Sequence, residues 1–209
     1  MPEKNLANAY PELAGEWHPT KNSREFTPEN LTPHCLKKVW WLCGHGHEWQ
    51  ATVNSRSYGT GCPFCANKKV SHDNCLAVVN PELAGEWHPD KNGSLTPEDV
   101  TPGSMKKVWW MCSRGHEWQA IINNRNKGTK CPYCTNKKAG KDNCLATVNP
   151  DLAKQWHPAK NMPLTPDSIT VGSMKKVWWI CDQGHEWYSV VYSRKVSNCP
   201  VCVHNKGNI

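Results

Sequence analysis

The sequence predicts three small α+β domains in tandem, with no single large core. Three observations carry that prediction. A segment of about 70 residues occurs three times. Only 38% of the 209 residues are hydrophobic, below the roughly 45–50% of an ordinary globular chain. Phe occurs twice, whereas Cys and Trp each occur 12 times. A unit this small and this poor in aliphatic side chains rarely holds together by burial alone and needs a staple.

The repeat is read from recurring motifs. Trp17-His18-Pro19 returns as Trp87-His88-Pro89 and Trp156-His157-Pro158. Lys37-Lys38-Val39-Trp40-Trp41 returns at Lys106–Trp110 and at Lys175–Trp179. Cys62-Pro63-Phe64-Cys65 returns as Cys131-Pro132-Tyr133-Cys134 and Cys199-Pro200-Val201-Cys202. These offsets place the repeats at 1–70, 71–139 and 140–209. In each, a short N-terminal helix is expected over Pro11–Trp17, with proline in its first turn. Thr27-Pro28-Glu29 supplies a cap, an N1 proline and an acidic first turn, so a second helical turn is expected there. Lys37–Leu42 and Glu48–Val53 read as the two strands of a β-hairpin, with Trp49, Ala51 and Val53 on one face. Cys62 as cap and Pro63 at N1 predict a closing short helix.

The cysteines form three equal sets. Cys43 and His47 pair with Cys62 and Cys65, Cys112 and His116 with Cys131 and Cys134, and Cys181 and His185 with Cys199 and Cys202. Three thiolates and one imidazole are the donor count of a closed tetrahedral structural zinc site. Short spacings let two donors come from one tight turn, and Gly46, Gly115 and Gly184 give the backbone freedom a knuckle needs before the histidine. His45 is an alternative donor, but Arg114 and Gln183 occupy its place in the other repeats. Three structural Zn2+ per chain are therefore expected. Cys35, Cys75 and Cys144 do not recur in all three repeats, so they read as small half-buried thiols, with a reactive thiol the alternative. Met1–Asn5 carries no apolar leader, which predicts a reducing compartment, cytoplasmic or (in a eukaryote) nuclear, where cysteines bind metal more often than they form disulfides. No apolar run reaches the roughly 20 residues of a membrane span, so no membrane role is expected.

At this point the chain resembles a family of zinc-ribbon, or treble-clef, zinc finger domains that occur in tandem. The resemblance is carried by Leu76–Pro89, Lys106–Trp110, Gly115-His116-Glu117-Trp118 and Cys131–Cys134, and it extends over the whole chain three times. It implies a zinc-stabilised treble-clef or ribbon fold with Cys112, His116, Cys131, Cys134 and their counterparts as ligands. It also implies nucleic-acid binding, sometimes beside endonuclease-like domains, none of which this sequence shows.

The charge is +7, from 25 Lys and Arg against 18 Asp and Glu. Each Zn(Cys)3His site carries roughly −1, which reduces the effective charge to about +4. That balance permits a polyanionic partner without demanding one. The recurring basic and aromatic residues, Lys37, Lys38, Trp40 and Arg56, then Lys106, Lys107, Trp109 and Arg125, then Lys175, Lys176, Trp178 and Arg194, are candidate nucleic-acid contacts. Alternation along the strand puts Val39, Trp41 and Cys43 on one face and Lys38 and Trp40 on the other. Trp40 then either stacks on a base or packs within its own repeat. His18, His88 and His157 serve either as hydrogen-bonded structural groups or as contacts to a partner. Lys68-Lys69 and Lys137-Lys138 follow the last ligand pair. Glu48, Glu117 and Glu186 adjoin a ligand histidine and read either as groups supporting the ligand or as surface. The sequence thus predicts a non-catalytic zinc-binding array that contacts nucleic acid, DNA over RNA. A protein-interaction scaffold is the alternative, and no small-molecule substrate is expected.

Overall fold

The computed structural model describes residues 5–206; Met1–Lys4, part of the stretch on which the expectation about a leader rests, lies outside the described residues. The first repeat contains α1 (Leu6–Ala9), α2 (Pro11–Gly15), β1 (Lys38–Leu42), β2 (Glu48–Thr52) and α3 (Val53–Ser57). The second contains α4 (Leu76–Val79), α5 (Pro81–Ala84), β3 (Lys107–Met111), β4 (Glu117–Ile121) and α6 (Ile122–Asn126). The third contains α7 (Leu145–Val148), α8 (Pro150–Lys154), β5 (Lys176–Ile180), β6 (Glu186–Val190) and α9 (Pro200–Lys206). The strands form three two-stranded sheets, β1–β2, β3–β4 and β5–β6. The chain divides into two compact units, 1–109 with 120–127, and 110–119 with 128–209. No helix among the described residues is long and apolar enough to cross a membrane.

In the first hairpin Trp41 lies directly opposite Trp49, and in the third Trp179 lies opposite Trp187. Trp41 is fully buried and Trp17 packs edge-on against it at 5.5 Å. Its indole N–H, which burial would otherwise strand, donates to the Ala51 carbonyl at 3.1 Å. Val39, Trp41, Cys43, Trp49, Val53 and Cys62 belong to one buried cluster with Leu6 of α1. The core is thus continuous with the thiols. In the third repeat Leu145, Trp156, Val177, Trp179 and Val191 form the equivalent cluster.

The outer edge of β1 is closed from within the repeat. The His18 N–H donates to the Trp40 carbonyl, and Leu42 N–H donates to the Glu16 carbonyl. Asn22 then brackets Trp40, accepting from its N–H at 2.7 Å and donating to its carbonyl at 2.9 Å. Asn92 and Asn161 do the same for Trp109 and Trp178. A two-stranded sheet exposes backbone groups at both edges, and these asparagines satisfy part of one edge.

Three local expectations need correction. Thr27-Pro28-Glu29 forms a hydrogen-bonded turn, with Asn30 accepting from the Thr27 N–H; at the matching places of the other repeats Pro97–Asp99 and Pro166–Ser168 form 3-10 turns, each opened by a capping box. The second strand stops at Thr52, whose side chain accepts from the Ser55 N–H and caps α3, so Val53 is helical. The closing helix appears only as α9. In the first two repeats the turn after the Cys pair ends at Asn67 and Asn136, which lie in the left-handed region at φ 55° and 57°. Asn tolerates that conformation and stops a helix there. His204 holds the corresponding place in the third repeat, and the helix runs through it.

The packing gives a direct test. Trp41→Ala is expected to destabilise the zinc-loaded protein by about 3–5 kcal/mol. Trp40→Ala, on the half-buried face, should cost about 1–2 kcal/mol. Urea unfolding with zinc in excess measures both, and equal losses would refute the assignment of faces.

Candidate metal centres

Each hairpin ends in a knuckle that delivers two donors. Cys43 follows β1, and its carbonyl accepts from the Gly46 N–H at 2.9 Å, while the Cys43 N–H donates to the His47 carbonyl. That reversal requires Gly46 at φ 83°, a region open to glycine without steric cost. Gly115 and Gly184 sit at φ 77° and 78° in the other knuckles. The second pair of donors comes from the turn at Cys62–Cys65 and its counterparts.

These pieces converge into three sets: Cys43, His47, Cys62, Cys65; Cys112, His116, Cys131, Cys134; and Cys181, His185, Cys199, Cys202. The donor atoms of each set lie within 4.8 Å of one another. The Nδ1 atom of His47 lies 3.4, 3.6 and 3.3 Å from the sulfurs of Cys43, Cys62 and Cys65. Cys43 and Cys65 sulfurs are 3.8 Å apart, as are those of Cys112 with Cys134 and Cys181 with Cys202. A tetrahedron with Zn–S near 2.3 Å and Zn–N near 2.05 Å has S–S edges of about 3.8 Å and S–N edges of about 3.6 Å. The residues therefore fit zinc. His45 reaches only Cys65, at 3.6 Å.

The electrostatics of the set point the same way. Burial opposes ionisation of Cys43, yet the backbone N–H groups of His45 and His47 and the Cys65 and His47 side chains overcome it, and the thiol titrates at about 6. Cys112 and Cys181 fall to about 7 by the same balance. The last cysteine of each set moves the other way. Burial, then the neighbouring thiols, push Cys65 up to about 12 and Cys134 and Cys202 to about 11. Three sulfurs this close cannot all be thiolates unless a cation shares their charge, and a dication supplies that charge.

The group that orients the imidazole was not visible in the knuckle sequence. The His47 Nε2–H is directed to Asp73, at 2.9 and 3.0 Å from its two oxygens, and Ser71 Oγ donates to Asp73 at 2.6 Å. His116 is held in the same way by Asp142 at 2.9 Å, with Arg114 on the same carboxylate. Asp73 raises the pKa of His47 above its ordinary value, chiefly through that hydrogen bond, and is itself held at about 2 by His47 and Ser71. A carboxylate on the far nitrogen fixes which nitrogen faces the metal and makes the ring a stronger donor. Among the described residues His185 has no carboxylate in that position. The recurring signal was Asp-Asn-Cys at Asp73–Cys75 and Asp142–Cys144. Asn74 ties this linker to the knuckle, donating to the Phe64 and Lys69 carbonyls at 2.7 and 2.9 Å. Cys75 is buried, with its thiol donating to the His72 carbonyl.

Glu48 adjoins His47 in sequence but not in function. Its carboxylate receives the Nε2–H of His18 at 2.8 Å and the Lys21 ammonium. The Nδ1 of buried His18 accepts from the N–H groups of Thr20 and Lys21. His157 repeats this with Glu186, Ala159 and Lys160. These histidines are structural groups that hold the loop against the hairpin.

The candidate nucleic-acid contacts separate into two classes. Lys37, Lys38, Lys106, Lys107, Lys175 and Lys176 are exposed. Arg56, Arg125 and Arg194 are buried, which removes them from any outer surface. Arg56 is ion-paired with Glu16 and lies over Trp41 at 5.0 Å and Trp49 at 5.2 Å. Arg125 pairs with Glu86. Arg194 donates to Gln155 at 2.6 Å and lies over Trp187 at 4.9 Å. Trp40, Trp109 and Trp178 are half-buried, and Lys21, Lys91 and Lys160 of the same repeats already lie over their rings at 4.8, 4.9 and 4.6 Å. The base-stacking expectation for these rings therefore meets a face occupied by an internal cation.

Fold and donor sets together define a tandem array of Cys3His zinc fingers. The chain belongs to the family described as Probable Treble clef zinc finger domain, whose model matches residues 13–68, 83–137 and 152–205. It is also similar to a protein of Escherichia phage T5 named "Putative endonuclease", 26% identical over 101 residues. That match spans 48% of this chain and 32% of the phage protein.

Metal analysis of the purified protein should find three zinc ions per chain, one for each donor set. Cys131→Ser should leave two, and a folded wild-type sample without zinc would refute the structural role. Asp73→Asn should weaken the first site by about 10–100-fold in chelator competition, with the third site unchanged. An equal loss at the third site would show that Asp73 acts through general stability instead.

Proposed function

We propose that the chain is a non-catalytic zinc-finger array that binds nucleic acid through its hairpin lysines, DNA in preference to RNA. The observation that carries this reading is the exposed lysine pair at the base of every hairpin: Lys37-Lys38, Lys106-Lys107 and Lys175-Lys176. Zinc holds each hairpin rigid, so the cations recur at equivalent places and suit a polyanion with a regular backbone. The name of the phage relative is in keeping with a nucleic-acid context, although the shared region covers only a third of that protein.

The donor sets favour binding over catalysis. Each offers four protein ligands, which fill a tetrahedral zinc and leave no position for water or substrate. The recurrent His–Glu pairs, which a nuclease could use as acid and base, are tied to backbone N–H groups and a lysine inside their own repeat.

Six hairpin lysines on phosphates predict a log K against log salt slope of about −5 for duplex DNA. Replacing Lys106 and Lys107 together with Gln should flatten it by about two and weaken all sequences alike. Zinc-loaded protein that shifts no DNA or RNA, single or double stranded, while capturing a stoichiometric protein partner would favour the scaffold instead. Cleavage of nucleic acid that is lost in Glu117→Gln while the fold survives would overturn the non-catalytic reading.

A further inference from the structure

Two clefts of the same construction lie outside the metal centres. The first, about 340 Å3, is walled by Lys68 of the turn after the first Cys pair and by Asp99, Thr101, Gly103, Ser104 and Lys106 from the next repeat. The second, also about 340 Å3, is walled by Lys137 and Lys138 and by Ser168, Thr170, Ser173 and Lys175. Each lies wholly within one of the two compact units. We infer that both are phosphate-binding clefts, each holding a phosphodiester group of the nucleic-acid backbone. This rests on the nucleic-acid reading above and adds a second class of contact to the hairpin lysines.

Each cleft is lined by lysines from two different repeats, with Ser104 in the first and Ser173 in the second as hydroxyl donors beside them; the Ser168 and Thr170 hydroxyls are spent on the Thr165 and Asn136 carbonyls. A phosphate oxygen takes both kinds of donor, and a cavity of this volume accommodates a phosphate group with its esterified neighbours. The turn that carries Lys68 is fixed at the metal end: the Lys68 and Lys69 N–H groups both donate to the Pro63 carbonyl, at 2.8 and 3.0 Å. Lys137 and Lys138 donate to the Pro132 carbonyl in the same way. Zinc therefore positions one wall, through the turn between two of its ligands, and the following hairpin positions the other. Small residues line the same stretch of both clefts, Gly103 and Ser104 in the first and Ser173 in the second. The first repeat carries His34 and Cys35 at the places of Gly103 and Ser104, and the His34 ring packs on Tyr58 at 5.5 Å.

The two clefts differ in two charges. Asp99 lines the first, although its carboxylate is engaged by the N–H and hydroxyl of Thr96 at 3.0 and 2.8 Å. Ser168 replaces it in the second, which also has one more lysine. The second cleft should hold phosphate more tightly.

The test compares two zinc-loaded triple variants of the full chain on one DNA duplex by fluorescence anisotropy across a salt series. Lys68→Gln with Lys137→Gln and Lys138→Gln removes cleft cations only. Lys38→Gln with Lys107→Gln and Lys176→Gln removes hairpin cations only. The cleft variant should flatten the salt slope by about two and bind more than tenfold weaker at 0.1 M salt. In parallel, acetylation of the unaltered protein should show Lys68, Lys137 and Lys138 protected by DNA, a readout that needs no variant to fold. If the unaltered chain binds DNA while the cleft variant keeps its slope and affinity, and these lysines acetylate freely, the cleft assignment falls and the hairpin reading stands. If the unaltered chain binds no nucleic acid, both fall.

Discussion

Crowding three sulfurs and an imidazole nitrogen within 4.8 Å is the constraint on which the rest of each repeat depends. Nothing in the apolar content of a repeat could enforce it. Among the described residues the longest α-helix has seven residues and the sheets have two strands each, elements that are marginal in isolation. Metal closure instead joins the hairpin tip to the Cys-Pro-x-Cys turn. Because Val39, Trp41 and Cys43 alternate onto one face of β1, the closed site and the tryptophan core become one buried body. Stapling fixes the hairpin, the hairpin presents Trp41 and Trp49 side by side, and those rings provide the surface on which α1 and the Trp17 segment fold.

Tryptophan and arginine together replace the missing aliphatic core. An indole buries a large area and carries one N–H, which Trp41 and Trp179 satisfy on the Ala51 and Ser189 carbonyls across the hairpin. The guanidinium of Arg56 then covers two indole faces at once, and its charge is balanced by Glu16, which stands immediately before Trp17. A buried arginine is costly unless its donors are paired and its face is stacked. In Arg56 the face is stacked and the terminal nitrogens are paired, with Glu16 and the Thr60 carbonyl, while the buried Nε has no partner; Arg194 does the same with neutral Gln155 and the Ser197 carbonyl. The same logic explains why the arginines recur as strictly as the ligands without facing solvent.

Much of this was legible in the sequence, for identifiable reasons. The donor sets were legible because metal geometry restricts both residue type and spacing, so twelve ligands and three sites could be read directly. Strand alternation assigned Trp40 and Trp41 to opposite faces. Recurrence alone misled for Arg56, because a residue repeats in every unit for packing as readily as for binding, and only its partners separate the two. The role of Glu48 was hidden for a related reason. Adjacent strand residues point apart, so the neighbour of a ligand in sequence turned out to hold His18, while the group that supports His47 came from Asp73, 26 residues away. The helix expected after Cys62 failed at a single residue, Asn67, whose tolerance of a left-handed conformation outweighed the Cys-Pro start signal.

The position of Asp73 changes how the array should be understood. By sequence it opens the second repeat, yet its carboxylate completes the metal environment of the first, and Asn74 beside it ties the same linker to the Cys62–Cys65 turn. Asp142 and Asn143 do this for the second site. A sequence repeat and a metal-bound module are therefore offset by about five residues. Stability in repeat proteins is a sum of terms within units and terms between neighbours. Here a between-neighbour term falls on the ligand histidine itself, so metal binding in one repeat and the ordering of the chain into the next are the same event. The cleft walls follow from that coupling, since each is built from a turn that one metal fixes and a loop that the next repeat supplies. A phosphate held there would contact both, and would respond to the loading of the site upstream of it.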